Sequence, residues 1–128
     1  MEPLEEHRSL LSTPVKLLLV EDSPEDIVAI SEMLTTSEVT SFDVTSAVRV
    51  EDALRMLHRT NFNAVLLDLT LPEGRGLTAL SRAKVAASSV PIVVMTRQED
   101  ETIALRALRQ GAQDYLVKDK FDSHLLVR

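Results

Sequence analysis

Four short apolar stretches of this chain run directly into polar or ionisable residues. The polar groups are Glu21 and Asp22 after the first stretch, Asp68 after the second, Thr96 after the third and Lys118 after the fourth. If the stretches are neighbouring parallel strands, their carboxyl ends lie at one edge of a sheet, where open α/β folds bind ligands. Three carboxylates, a hydroxyl and an ammonium then converge, which predicts a functional site at that edge.

These residue types favour phosphoryl chemistry assisted by a metal ion. Like charges about 4 Å apart cost about 4 kcal/mol per pair at an effective dielectric near 20, so the three carboxylates favour a bound cation. Hard oxygen ligands without His or Cys favour Mg²⁺, with Mn²⁺ as the alternative. Lys118 adds a positive charge and Thr96 adds a hydroxyl donor, and such groups stabilise a phosphoryl group during transfer. A carboxylate can itself be the nucleophile, which gives an aspartyl phosphate.

The elements that would position these groups are strands covered on both faces. The four stretches are short and apolar, without polar alternation, as in the strands of parallel sheets. A fifth stretch alternates apolar and polar residues and is predicted to lie nearer an edge of the sheet. The predicted strands are 15–20, 42–47, 64–67, 92–95 and 115–117.

Helical patterns separate the predicted strands. Ser23 followed by Pro24 predicts a helix start, with a hydroxyl N-cap and a proline at the first helical position. Three further apolar stripes at helical spacing cover 50–57, 77–84 and 104–111, and Gly111 suits a helix C-terminus. The alternation predicts an α/β fold, a three-layer flavodoxin-like (βα)5 doubly wound parallel sheet with strand order 2-1-3-4-5.

Composition excludes several classes of function. The formal net charge of −6 argues against this segment binding a nucleic-acid backbone. The absence of Cys excludes disulfides and thiolate metal sites and is compatible with the cytoplasm, where we expect the protein. No apolar run approaches the roughly 20 residues of a membrane span, so no membrane association is expected.

The chain is predicted to contain one domain with irregular ends. Residues 1–14 are polar with two prolines, which indicates a disordered N-terminal arm. Residues 15–128 form the predicted domain. Residues 122–128 begin a fifth helix that breaks off after about two turns. We therefore expect the domain to be truncated within a longer protein.

Four segments resemble the receiver domain of a two-component response regulator. They are 19–24, 66–72 together with Gly76, 94–96, and 111–118. They occur in order at the predicted strand ends, and the resemblance covers about residues 15–128. It implies a phosphoacceptor signalling switch in a phosphorelay, with no enzymatic activity beyond slow autophosphorylation from small donors and slow autodephosphorylation.

The resemblance also implies roles for individual residues. Asp68 would accept phosphate from the phosphohistidine of a sensor histidine kinase or phosphotransfer protein. Asp22 would bind Mg²⁺ directly, Glu21 would bind it mainly through water, and Thr70 would offer its backbone carbonyl. Lys118 would pair with the phosphoryl oxygens.

Further residues would report or tune phosphorylation. Thr96 would turn towards the phosphate and Tyr115 would swing inward behind it. The surface of the fourth helix, fifth strand and fifth helix would then change shape, to bind an output domain or partner or to form a dimer. We expect that output domain in a C-terminal region beyond this segment. Thr70 and Gln98 occupy positions that tune phosphate lifetime, and Arg97 stands where the family usually has a small residue, so it could restrict access.

Three other functions remain open from the sequence. An Asp-nucleophile phosphohydrolase of the haloacid-dehalogenase type usually has a second Asp two residues after the nucleophile, where this chain has Thr70. A flavin or nucleotide binder is disfavoured because carboxylates after the first strand repel phosphate unless a metal intervenes. A degenerate receiver would act as an interaction module without phosphorylation, and Arg97 is the main reason to consider it.

Overall fold

The computed structural model describes residues 13–38, 40–70, 76–96 and 101–118, in which five strands alternate with four helices. The strands are β1 Val15–Val20, β2 Phe42–Ala47, β3 Ala64–Asp68, β4 Ile92–Thr96 and β5 Asp114–Val117. The helices are α1 Pro24–Thr35, α2 Val50–Arg59, α3 Gly76–Ala86 and α4 Glu101–Arg109. The alternation confirms the predicted α/β class.

The five strands form one parallel sheet in the order β2-β1-β3-β4-β5, as predicted. The register aligns the carboxyl ends of β1 and β3, because Val20 pairs with Leu67 near the end of each strand. β4 and β5 also end together, with Thr96 opposite Val117. The residues that follow these strands therefore emerge at the same edge of the sheet.

Both faces of the sheet are buried, which explains why the strands lack polar alternation. In β1, Leu18 and Val20 belong to a larger core with residues of α2, α3 and α4, whereas Leu17 and Leu19 lie in a second core. α1 supplies Ile30 and Leu34 to that second core. The edge strand β2 does alternate in burial along much of its length, as predicted.

The predicted helix signals at Ser23 and Gly111 are confirmed. Ser23 is the N-cap of α1, and its hydroxyl accepts a hydrogen bond of 3.3 Å from the Asp26 N–H. Pro24 occupies the first turn, where its missing N–H costs nothing. Gly111 follows the end of α4 with φ +106°, a conformation that side chains disfavour.

Small differences from the predicted bounds occur at strand ends. Asp68 and Thr96 are the last residues of β3 and β4, because the Leu69 N–H still donates to the Met95 carbonyl at 2.9 Å. Most of the predicted arm and the whole predicted fifth helix lie outside the described residues. Within the described ranges, every helix is too short or too polar to cross a membrane.

Candidate functional site

Three carboxylates meet at the carboxyl edge of the sheet. Glu21 and Asp22 follow β1, and Asp68 ends the adjacent strand β3. One oxygen from each side chain lies within 4.8 Å of the other two. Glu21 and Asp68 are completely buried, whereas Asp22 is half-buried. The level register of β1 and β3 is what brings these groups together.

Lys118 reaches this cluster from the end of β5. Its side chain is 7% exposed, and its Nζ lies 2.6 Å from Glu21 Oε1 and 3.4 Å from Asp68 Oδ2. Nζ also lies 2.7 Å from Oδ2 of Asp26, on the first turn of α1. The Lys118 backbone N–H donates to the Thr96 carbonyl at 2.8 Å, which fixes where the side chain begins. The Lys118 ammonium thus forms ion pairs with three carboxylates.

Both oxygens of Asp68 have partners. Oδ1 accepts hydrogen bonds from the Thr70 N–H at 2.9 Å and from the Thr70 hydroxyl at 2.7 Å. Oδ2 faces Lys118. These contacts fix the orientation of the Asp68 carboxylate at the end of its strand.

One of the two carboxylate oxygens of Glu21 accepts a hydrogen bond, and the other makes only an ion pair. Its Oε2 accepts a hydrogen bond of 3.2 Å from the Ser23 N–H. Its buried Oε1 lies 2.6 Å from Lys118 Nζ in an ion pair, but no residue that the structure describes gives it a hydrogen bond. A buried polar atom without a hydrogen bond is uncommon and calls for a structural reason. A cation held by these carboxylates would supply one, since a hard divalent ion prefers oxygen ligands of this kind.

Burial and hydrogen bonds act in opposite directions on the pKa values of the site. Burial raises the pKa of Glu21 above its usual value, and the neighbouring Asp68 adds to the effect against the opposing contact with Lys118. Burial also acts to raise the pKa of Asp68, but the two Thr70 hydrogen bonds, the contact with the Glu21 side chain and the charge of Lys118 outweigh it, and the pKa is lowered. Asp68 is therefore ionised at neutral pH.

The pKa of Lys118 is raised despite its burial. Desolvation favours the neutral amine, but the contacts with Asp26 and Glu21 favour the ammonium more strongly. The site therefore keeps a fixed positive charge beside Asp68.

Thr96 and Tyr115 lie on the two strands beyond β3. Thr96 is buried at the end of β4, next to the end of β3 that carries Asp68. Tyr115 is half-buried on β5 and packs against the larger core. Thr96 is thus at the predicted edge, whereas Tyr115 lies further back along its strand. Arg97 and Gln98 are outside the described residues.

Sequence reasoning missed the contact between Lys118 and Asp26. Asp26 comes four residues after Asp22, and the Ser23–Pro24 helix start places it on the first turn above the site. That position was the available signal. Sequence reasoning also missed the Thr70 side chain as a donor to Asp68, because it considered Thr70 as a metal ligand through its backbone carbonyl and as a position that tunes phosphate lifetime.

Comparisons with known proteins give a consistent result. A family model described as the response regulator receiver domain matches residues 17–128. The swarming motility regulation protein RssB of Serratia marcescens is 33% identical over 104 residues, which are 81% of this chain and 46% of that protein. Protein PilH of Pseudomonas aeruginosa is 29% identical over 113 residues, 87% of this chain and 91% of that protein. The chain thus spans less than half of RssB and most of PilH.

A solved structure resembles the whole described fold. The receiver domain of the sensor histidine kinase PA1611 from Pseudomonas aeruginosa has a TM-score of 0.77 and 29% sequence identity. The match covers 91% of this chain and 93% of that domain. That structure has a magnesium ion coordinated in its active-site cleft.

Proposed function

This chain belongs to the response regulator receiver domain family, a family of regulatory phosphoacceptor modules, and on that premise we propose that Asp68 is its phosphoacceptor. The observation that carries the proposal is the state of Asp68. It is a buried, ionised carboxylate with a fixed orientation, beside an ammonium and two further carboxylates.

The proposed reaction transfers one phosphoryl group to Asp68. A carboxylate oxygen of Asp68 attacks phosphorus, a new O–P bond forms, and the N–P bond of the donor phosphohistidine breaks. The imidazole ring leaves with the electron pair of that bond, and uptake of one proton from solvent gives the neutral histidine side chain. With acetyl phosphate as donor, an O–P bond breaks and acetate leaves. Lys118 stabilises the charge on the transferred oxygens.

The donor set fits a divalent cation. Asp22, Glu21 and Asp68 would hold it, with the Thr70 carbonyl as a further ligand, and Mg²⁺ or Mn²⁺ suits these oxygens. When bound, such an ion neutralises charge on the phosphoryl oxygens. The chain's own residues orient the nucleophile through Thr70 and hold Lys118 against the cluster.

The proposed consequence of phosphorylation is a shift between two packings of the domain. Thr96 and Tyr115 would move with the new phosphoryl group, and the surface of α4, β5 and the following segment would change shape for an output domain or partner, or for a dimer. Reversing a 1:99 balance takes about 5.5 kcal/mol. A few charge-assisted hydrogen bonds, at about 1.5–3 kcal/mol each, are enough.

The partners of this switch follow from the same proposal. A sensor histidine kinase or phosphotransfer protein would supply the phosphoryl group. RssB extends well beyond the matched segment, which supports an output region outside this chain. The net charge of −6 makes nucleic-acid binding by this segment itself unfavourable.

One experiment separates this function from its alternatives. Intact protein mass is measured after incubation with Mg²⁺ and acetyl phosphate, beside an Asp68→Asn control of equal size. We expect one phosphoryl unit per chain, dependent on Mg²⁺ and absent from the control. Sustained release of inorganic phosphate over many turnovers would instead support the phosphohydrolase.

No addition in a sample shown to be folded by circular dichroism would support the degenerate receiver. An Arg97→Ala variant then separates two causes. Phosphorylation of that variant alone would mean that Arg97 blocks access to Asp68. Failure of both proteins would mean that the site does not accept phosphate.

A further inference from the structure

We propose that Asp26 is a positioning residue that holds Lys118 away from Asp68 before phosphorylation. The inference rests on the proposed function, because it describes how the same site changes state. Its consequence is that loss of the Asp26 carboxylate makes phosphorylation of Asp68 faster.

The distances place Lys118 with Asp26 more closely than with Asp68. Nζ lies 2.7 Å from Asp26 Oδ2 and 3.4 Å from Asp68 Oδ2. Asp26 is well fixed for this role, because its backbone N–H donates to the Ser23 N-cap hydroxyl on the first turn of α1. The ammonium is therefore shared, and its nearer partners are not the nucleophile.

The ammonium has three donors, and three carboxylates already surround it. A closer approach of Nζ to a phosphoryl oxygen on Asp68 would lengthen one of its two shorter contacts, with Glu21 or with Asp26. Glu21 is completely buried, whereas the Asp26 side chain is 36% exposed and can be rehydrated where Lys118 leaves it. Asp26 is thus the partner that Lys118 can leave at the lowest cost.

The neighbouring Glu25 provides a matched control. It carries the same charge on the same helical turn, but it is exposed and belongs to none of the Lys118 ion pairs described above. Glu25→Gln removes one negative charge near the site, as Asp26→Asn does. Only Asp26→Asn also releases Lys118.

The test measures two rates in the whole chain at saturating Mg²⁺. The first is the rate of phosphorylation by acetyl phosphate, and the second is the rate of hydrolysis after the donor is removed, both by intact mass. Partly exposed ion pairs of this kind correspond to about a two- to five-fold effect, so we expect phosphorylation of Asp26→Asn to be faster by that factor. Hydrolysis should be unchanged, because Lys118 has already left Asp26 in the phosphorylated protein. Glu25→Gln should match the parent in both rates.

Each other outcome overturns the proposal. An unchanged or slower phosphorylation of Asp26→Asn would show that Asp26 does not compete for Lys118. An equal acceleration in Glu25→Gln would show a general effect of charge. A matching change in hydrolysis would show a structural disturbance of the site. If the parent itself takes no phosphate, the proposed function fails and this inference fails with it.

Discussion

Gly76 leaves no room for a side chain beside Leu69, the residue that follows β3. It is the first residue of α3, and a Cβ added there would lie 2.3 Å from the Leu69 carbonyl oxygen and 2.6 Å from the Leu69 Cα. Real Cβ contacts are essentially never shorter than 3.0 Å, so Gly76→Ala forces a movement of at least about 0.7 Å, the difference between 3.0 and 2.3 Å. The two atoms that the added Cβ would clash with belong to the backbone, which is displaced less easily than a side chain.

The cost can be estimated from two opposing effects. Overpacking of this kind costs about 1–3 kcal/mol. Alanine in a helix recovers about 0.5–1 kcal/mol relative to glycine. Together these effects span about 0–2.5 kcal/mol, and because the contacts of 2.3 and 2.6 Å are with backbone atoms, the cost lies in the upper half of the overpacking range. We therefore expect Gly76→Ala to lower the free energy of unfolding by about 1–2 kcal/mol. Because Leu69 directly follows Asp68 and its N–H bonds to the Met95 carbonyl, phosphorylation should also slow.

The assay is urea denaturation followed by circular dichroism, together with the rate of phosphorylation by acetyl phosphate. Thr78→Ala is the matched control, since it creates the same residue two positions later at an exposed site of α3. That variant should be at least as stable as the parent because alanine favours the helix. If Gly76→Ala is equally stable, α3 does not approach β3 as closely as described, and the argument from this contact is refuted.

Two further predictions concern the end of α4 and the lifetime of the phosphate. Gly111→Ala should lower the free energy of unfolding by about 1–2 kcal/mol, because φ +106° is unfavourable for a residue with a side chain; a denaturation midpoint equal to that of the parent would contradict this. Thr70→Asn and Gln98→Glu should each alter the rate at which the aspartyl phosphate hydrolyses, measured by intact mass over time. Equal rates in both variants and the parent would refute a tuning role for these positions.

The sheet and the placement of the acidic residues were predictable because both follow from short-range patterns. Uninterrupted apolar runs indicate strands buried on both faces, and the polar residues at their ends mark one edge of a parallel sheet. The proximity of Asp22 and Asp68 could therefore be predicted from the sequence, once the first and third strands were predicted to be adjacent. The start of α1 was predictable on local grounds, since Ser23 and Pro24 act on their own turn.

The partners of Lys118 were not predictable in the same way. A lysine side chain has a flexible four-carbon stem, so the position of its Cα does not determine where its ammonium lies to within several ångströms. Its actual partners depend on how far α1 turns back over the sheet edge, which is a property of packing between Ile30, Leu34 and the second core. Asp26 enters the site through that packing together with the Ser23–Pro24 helix start, which puts it on the first turn of α1.

This difference bears on how the site can work as a switch. Groups fixed by strand ends, such as Asp68, cannot move far without disturbing the sheet. Lys118 has a fixed backbone, but its ammonium can change partners at the cost of ion pairs worth about 1 kcal/mol or less where they are partly exposed. A change of partners at this one side chain links α1, through Asp26, to the end of β5. If Asp68 is phosphorylated as proposed, contacts would therefore change both on α1 and at the end of β5. Carboxylates held only by strand ends could not transmit such a change.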